Sequence, residues 1–163
     1  MSVNKYQPHV LVLPEDDADR QLANGFLLHE SLALRAIQVL PKAGGWAKVR
    51  ELFLDVHVAE MQRCVQRYMV LLVDFDGKES RLAEMTKDIP VALADRVFVI
   101  GIWTEPEDLH RHGLGTEENF GRQLASECHE NRSDIWNHEL LKHNANELDR
   151  MRVALRPILF PSA

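Results

Sequence analysis

Arg67–Gly77 reads RYMVLLVDFDG, and the fold turns on how this stretch is read. Six apolar or aromatic residues, Tyr68 to Val73, stop abruptly at Asp74-Phe75-Asp76-Gly77. A short run rich in Val and Leu that ends in a turn signal predicts a strand buried on both faces. In a parallel sheet, ligands bind at the carboxyl ends of the strands, where these acids fall. Asp74 and Asp76 are two residues apart, so in extended backbone both side chains point the same way. Paired carboxylates repel unless water or a cation lies between them. A hard divalent ion held by one or two carboxylates and several waters meets that need. The plainer alternative is a solvated strand end whose Asp-Gly starts a turn.

Working outward, the same pattern recurs. His9–Leu13 (HVLVL) predicts a first strand, followed by Pro14 and the acids Glu15, Asp16, Asp17 and Asp19. A helix is expected to start among them, since carboxylates cap and complement a first helical turn. Capping alone would explain that cluster. Leu22 and Phe26, four apart, are expected to face the sheet, with Gly25 allowing close packing. Ala36–Leu40 predicts a second strand, ended by Pro41 and the Gly44-Gly45 pair. That segment does not match G-x-x-x-x-G-K-[ST], so a nucleotide P-loop is not indicated. Trp46, Val49, Leu52, Phe53 and Val56 mark one helical face. Lys48 and Arg50 read as solvated, although Lys42 and Lys48 fall near the same end of the sheet.

A helix carrying Leu82 and Met85 leads to Val97–Ile102, a fourth buried strand, and then to Glu105-Pro106-Glu107. The remainder reads as helical, one helix opening at Thr116 and another at Ser133. Residues 156–160 are expected as an edge strand. Strands alternating with helices predict an α/β domain with a largely parallel sheet of four to five strands.

Bulk properties narrow the classes. At 163 residues the chain fits one domain, with 45% hydrophobic and 27% charged residues. A formal charge of -6 argues against a general nucleic-acid coat, though not against an enzyme with acids gathered at a metal. No apolar run approaches a membrane span, and the absence of a signal-type apolar segment makes the cytoplasm the expected location. Cys64 and Cys128 match no metal or redox spacing. His138 and His143 lie five apart rather than four, so H-E-x-x-H is not met. His110 and His112 sit near the acidic edge.

Three strands therefore finish in acids: Glu15 with Asp19, Asp74 with Asp76, and Glu105 with Glu107. On one sheet edge they converge and call for positive charge, which a metal would supply. E-D-D-A-D at Glu15–Asp19 followed by D-F-D at Asp74–Asp76, with Gly44-Gly45 between, resembles the Toprim (topoisomerase–primase) family pattern of E-G-x-x-D and then D-x-D. Glu105-Pro106-Glu107 resembles the late acidic element of Toprim domains in overcoming-lysogenization-defect nucleases. The resemblance covers about residues 9–112, leaving 113–163 as a helical extension. Asp16 stands where the family has glycine.

The resemblance implies a nuclease using Mg2+ or Mn2+. Glu15 would be general acid/base or ligand, and Asp74 and Asp76 would bind the metal, with Asp19, Glu105 and Glu107 completing the acidic set. Nucleic acid would be the substrate, and a larger protein is a further expected partner. A degenerate, metal-free Toprim-like module binding a protein is the alternative of a different class. V-D-F-D-G also resembles the first motif of haloacid-dehalogenase phosphatases, but Lys78 stands where that family has threonine. Response-regulator receivers share the acid placement, without a clear late lysine.

Overall fold

The computed structural model describes residues 2–162. Four strands form one parallel sheet: β1 His9–Pro14, β2 Ile37–Val39, β3 Arg67–Leu72 and β4 Val97–Ile100. Their spatial order is β2-β1-β3-β4. The chain leaves β1 toward one edge, returns past it to β3, and continues to β4. The sheet therefore reverses its winding between β1 and β3, which is the crevice where α/β sheets place ligands.

Alternation along the strands builds two cores. Val10, Val12, Val70, Leu72, Phe98 and Ile100 enter one layer. Leu11, Leu13, Met69, Leu71, Val97 and Val99 enter the other. This period-two division is why the strands read as continuous apolar runs: neither face meets water.

The first layer is covered by α1 (Asp17–Phe26), by a fourteen-residue helix Glu117–Glu130, and by the C-terminal helix Ala145–Leu159. The second is covered by α2 (Trp46–Leu52), which runs through a π-helical turn at Phe53–His57 into α3 (Val58–Arg63), and by α4 (Ser80–Thr86). Between β4 and the fourteen-residue helix, which is α6, lies the four-residue α5 (Asp108–Arg111); the C-terminal helix is α7. Thr116 caps α6 by accepting the Asn119 N–H, as its sequence position predicts. Gly25 and Gly121 let α1 and α6 meet backbone to backbone: a Cβ at Gly25 would lie 2.0 Å from the Glu118 carbonyl oxygen, and one at Gly121 2.0 Å from that of Leu22.

Two expectations for the C-terminal part are corrected. Residues 156–160 are not an edge strand, because Arg156 to Leu159 form the last turn of α7. Pro157 lacks the N–H that would reach the carbonyl of Val153, a residue itself exposed to solvent. The helix also begins at Ala145 rather than Ser133. Ahead of it the chain is held in turns, because the buried Glu127 carboxylate accepts the Ile135 and Trp136 N–H groups at 2.8–3.1 Å.

α7 also finishes the sheet. Asn144 accepts from Gly101 N–H (3.2 Å) and donates to the Gly101 carbonyl (2.9 Å), while Glu147 accepts the Val99 N–H (2.9 Å). Side chains thus pair the open edge of β4, which would otherwise remain a template for another strand. No described helix is long and apolar enough to cross a membrane.

Candidate metal centre

β1 and β3 are in register, with Pro14 opposite Leu72, so the first residues past them come out side by side. Glu15 N–H continues the ladder to the Leu72 carbonyl (2.9 Å). Glu15 Oε2 in turn accepts the Asp74 N–H at 2.7 Å. The carbonyl of Glu15 accepts from Gly44 and Gly45 N–H (2.8 and 3.1 Å), so the glycine turn after β2 clamps the same residue. Gly45 takes φ +140, a conformation that favours glycine.

Asp19 arrives from α1. Asp16 is the N-cap and accepts the Asp19 N–H at 3.0 Å, which sets the first turn and aims Asp19 back over the strand ends. Asp19 is fully buried at 0% exposure, with Asp74 at 5% and Glu15 at 8%. One carboxylate oxygen from each of the three lies within 4.8 Å of the others. Among the described residues no N–H or alcohol O–H group donates to either oxygen of Asp19 or to Oδ1 of Asp74.

Such crowding is electrostatically costly. Burial, then the neighbouring Asp74 and Asp16 charges, pushes the Asp19 carboxyl up to about 11. Burial raises Asp74 to about 8, against a hydrogen bond to Asp19 that works the other way. Glu15 is also raised, chiefly by burial, with the Asp74 N–H opposing. Without a cation, protons remain on this cluster at neutral pH. An all-oxygen set of buried carboxylates, with Asp19 and Asp74 oxygens that no N–H reaches, suits a hard divalent cation, so the residues fit such an ion.

The other acids in the expected set are outside this three-carboxylate cluster, although Asp76 is near enough for its charge to raise Glu15 and Asp74. Asp76 takes φ +51, so the extended geometry that would align it with Asp74 ends before it. Its half-exposed carboxylate accepts from the Arg81 guanidinium at 3.3 Å. Glu105 and Glu107 are exposed on the loop after β4, outside the three-carboxylate cluster. The buried acid of that loop is Asp108, paired with Arg111 at 2.7 Å. Lys42 is bonded to Asp17 at 2.7 Å and faces solvent with it. His110 pairs with Glu117 (3.2 Å), and His112 with Glu139 (3.3 Å). Burial holds the Cys128 thiol up at about 11, so it is no nucleophile.

Arg81 was not singled out by its sequence. It is 2% exposed, donates to the Asp74 carbonyl (3.1 Å), and lies 4.3 Å over the Trp46 ring. One guanidinium therefore fixes the whole Asp74–Asp76 turn. The available signal was its place one helical turn past D-F-D-G.

Comparison of the chain with protein-family models, curated proteins and solved structures returns no match. The case for function rests on the site itself.

Proposed function

We propose that this chain is a divalent-cation-dependent phosphodiester hydrolase acting on nucleic acid, built on Glu15, Asp19 and Asp74. The observation that carries this reading is the convergence of three buried carboxylates at the β1/β3 winding reversal, with oxygens on Asp19 and Asp74 that no N–H reaches. The Toprim resemblance of Glu15–Asp19 and Asp74–Asp76 agrees with it and supplies the substrate class.

In this reading Asp19 and Asp74 hold Mg2+ or Mn2+. A bound ion offsets charge on the phosphoryl oxygens and makes a nucleophile of water near neutral pH. Glu15 is held by the Asp74 N–H through one oxygen, leaving the other to carry a proton. Burial raises its affinity for that proton, the direction acid–base work by a carboxyl requires. Arg81 keeps the Asp74 backbone in place, so the Asp74 carboxylate is aimed by the turn rather than by a mobile loop. A basic partner protein would offset the acidic surface when nucleic acid approaches.

The test is incubation of single-stranded and duplex DNA and RNA with wild type, Glu15→Gln and Asp74→Asn in Mg2+ or Mn2+. Wild type cleaves and both variants fail. Cleavage retained by Asp74→Asn places the chemistry elsewhere. One observation favours a second reading, a metal-free Toprim-like module that binds a protein. The second acid of D-F-D is engaged by Arg81 rather than presented to the cluster. A melting temperature indifferent to divalent ions selects that alternative.

A further inference from the structure

Beside the carboxylate cluster, and separate from it, an open cleft of about 450 Å³ lies on the other side of the Asp74–Gly77 turn. Phe75 points into the core layer opposite α1, whereas Asp74 turns toward α1 and Asp19. The cleft and the acids therefore flank one turn of backbone, Phe75 lining the first and Asp74 belonging to the second.

The walls of the cleft are aromatic. The Phe75 and Trp103 rings are stacked, with centroids 6.1 Å apart and planes at 29°. The His143 ring lies 4.5 Å from Phe75 and 5.0 Å from Trp103, closing the group. Burial lowers the affinity of His143 for a proton to about 4, so the imidazole is a neutral aromatic surface at physiological pH. The rim is polar and mixed in sign: Glu79, Glu139 and Lys142 line it and all three are exposed.

We propose that this cleft takes a nucleobase belonging to the substrate of the neighbouring carboxylate site, stacked on the half-buried Trp103 and His143 rings, which the buried Phe75 backs, with its polar edge turned to Glu79, Glu139 and Lys142. A flat heterocycle matches an aromatic wall because every base presents a π face. Two carboxylates on the rim repel phosphate but accept N–H donors, as acidic side chains do from the exocyclic amino groups of bases. A base seated here must be unstacked from its neighbours, so the cleft selects single-stranded or extruded nucleotides over intact duplex. The inference rests on the hydrolase reading for its substrate class, but the cleft is separable from the metal centre by experiment.

The experiment measures binding of a fluorescein-labelled single-stranded oligonucleotide, and of its abasic counterpart, by anisotropy in EDTA. Calorimetry with AMP, CMP, GMP and UMP runs alongside. Wild type binds the intact oligonucleotide about 5- to 150-fold more tightly than the abasic one, the range of one base–aromatic stack. Trp103→Leu abolishes that difference. Glu139→Gln, a change at an exposed residue, alters the ranking of amino-bearing bases. Asp74→Asn keeps the intact-over-abasic difference. Saturable binding of mononucleotides identifies a free nucleotide as the source of the base; binding of the oligonucleotide alone identifies a strand. Equal binding of intact and abasic strands, or a difference that survives in folded Trp103→Leu and is indifferent to Glu139→Gln, overturns the proposal. The two readings fail separately. Base-dependent binding without cleavage removes the hydrolase and keeps the cleft; cleavage with no base dependence does the reverse.

Discussion

The Asp74 N–H donates to Glu15 Oε2 across 2.7 Å, so the residue that ends one strand fixes the backbone of the residue that ends its neighbour. This bond is both structural and chemical, and the two roles separate by substitution. Gln at position 15 keeps an acceptor for the N–H but loses the exchangeable carboxyl. Ala leaves the N–H buried without a partner, a loss of about 1–3 kcal/mol. Denaturant unfolding should therefore find Glu15→Gln near wild type and Glu15→Ala clearly weaker. In the cleavage assay both should be slow, by about 100- to 10,000-fold if Glu15 serves only in proton transfer.

Divalent ions should stabilise the fold, since the three-carboxylate cluster exists only in the native state. The melting temperature should rise with millimolar Mg2+ or Mn2+. Asp19→Asn and Asp74→Asn should abolish that rise. Asp76→Asn should preserve most of it, because its carboxylate serves Arg81 instead. An equal loss in all three variants would bring Asp76 into the metal shell.

In the absence of metal, stability should fall as pH rises. Asp74 and Asp19 hold their protons to about 8 and about 11 in the native state, against about 3.9 in an unfolded chain. Between about pH 4 and pH 8 the native state therefore binds more protons than the unfolded one, and unfolding becomes easier as protons are withdrawn. Melting curves in EDTA from pH 5 to pH 9 should slope downward. Asp19→Asn should flatten that slope, and metal should reverse it while releasing protons measurable by calorimetry in buffers of different ionisation enthalpy.

Gly121→Ala tests how Asp19 is aimed. The added methyl would meet the Leu22 carbonyl at 2.0 Å and push α6 from α1, the helix that carries Asp19. Overpacking of this kind costs about 1–3 kcal/mol. Metal affinity should drop alongside stability, although residue 121 does not touch the cluster. A stability loss with unchanged affinity would show that α1 is aimed by its N-cap alone.

Asn144→Leu should expose the edge of β4. The Asn144 amide serves both the N–H and the carbonyl of Gly101, and the leucine leaves two buried backbone groups unpaired. The expected loss is about 1–3 kcal/mol per group, read by denaturant unfolding, with faster aggregation of the freed edge.

The amino-acid sequence determined the fold class and the location of the chemistry. Runs such as Val70–Val73, short, β-branched-rich and stopped by a turn signal, favour a strand covered on both faces, and their order along the chain with helices between them favours parallel pairing. Asp and Gly after each run mark where backbone pairing must end. Capping was equally local: Asp16 and Thr116 each accept from the N–H three residues on. Which acids meet was not local. Asp74 and Asp76 look equivalent in D-F-D, and only a positive φ at Asp76 and a guanidinium from α4 separate them. Asp19 read locally as either a capping acid or a member of the acidic set, and helix packing through Gly25 and Gly121 goes with its delivery to the strand ends. The C-terminal segment shows the same division. Arg156–Phe160 has the composition of a strand, but the edge it would have joined was already paired by Asn144 and Glu147, and the apolar face of a helix had a core layer to cover. Hydrophobic period and turn chemistry act over a few residues and can be read from them; electrostatic convergence depends on distances the chain sets only when its layers close.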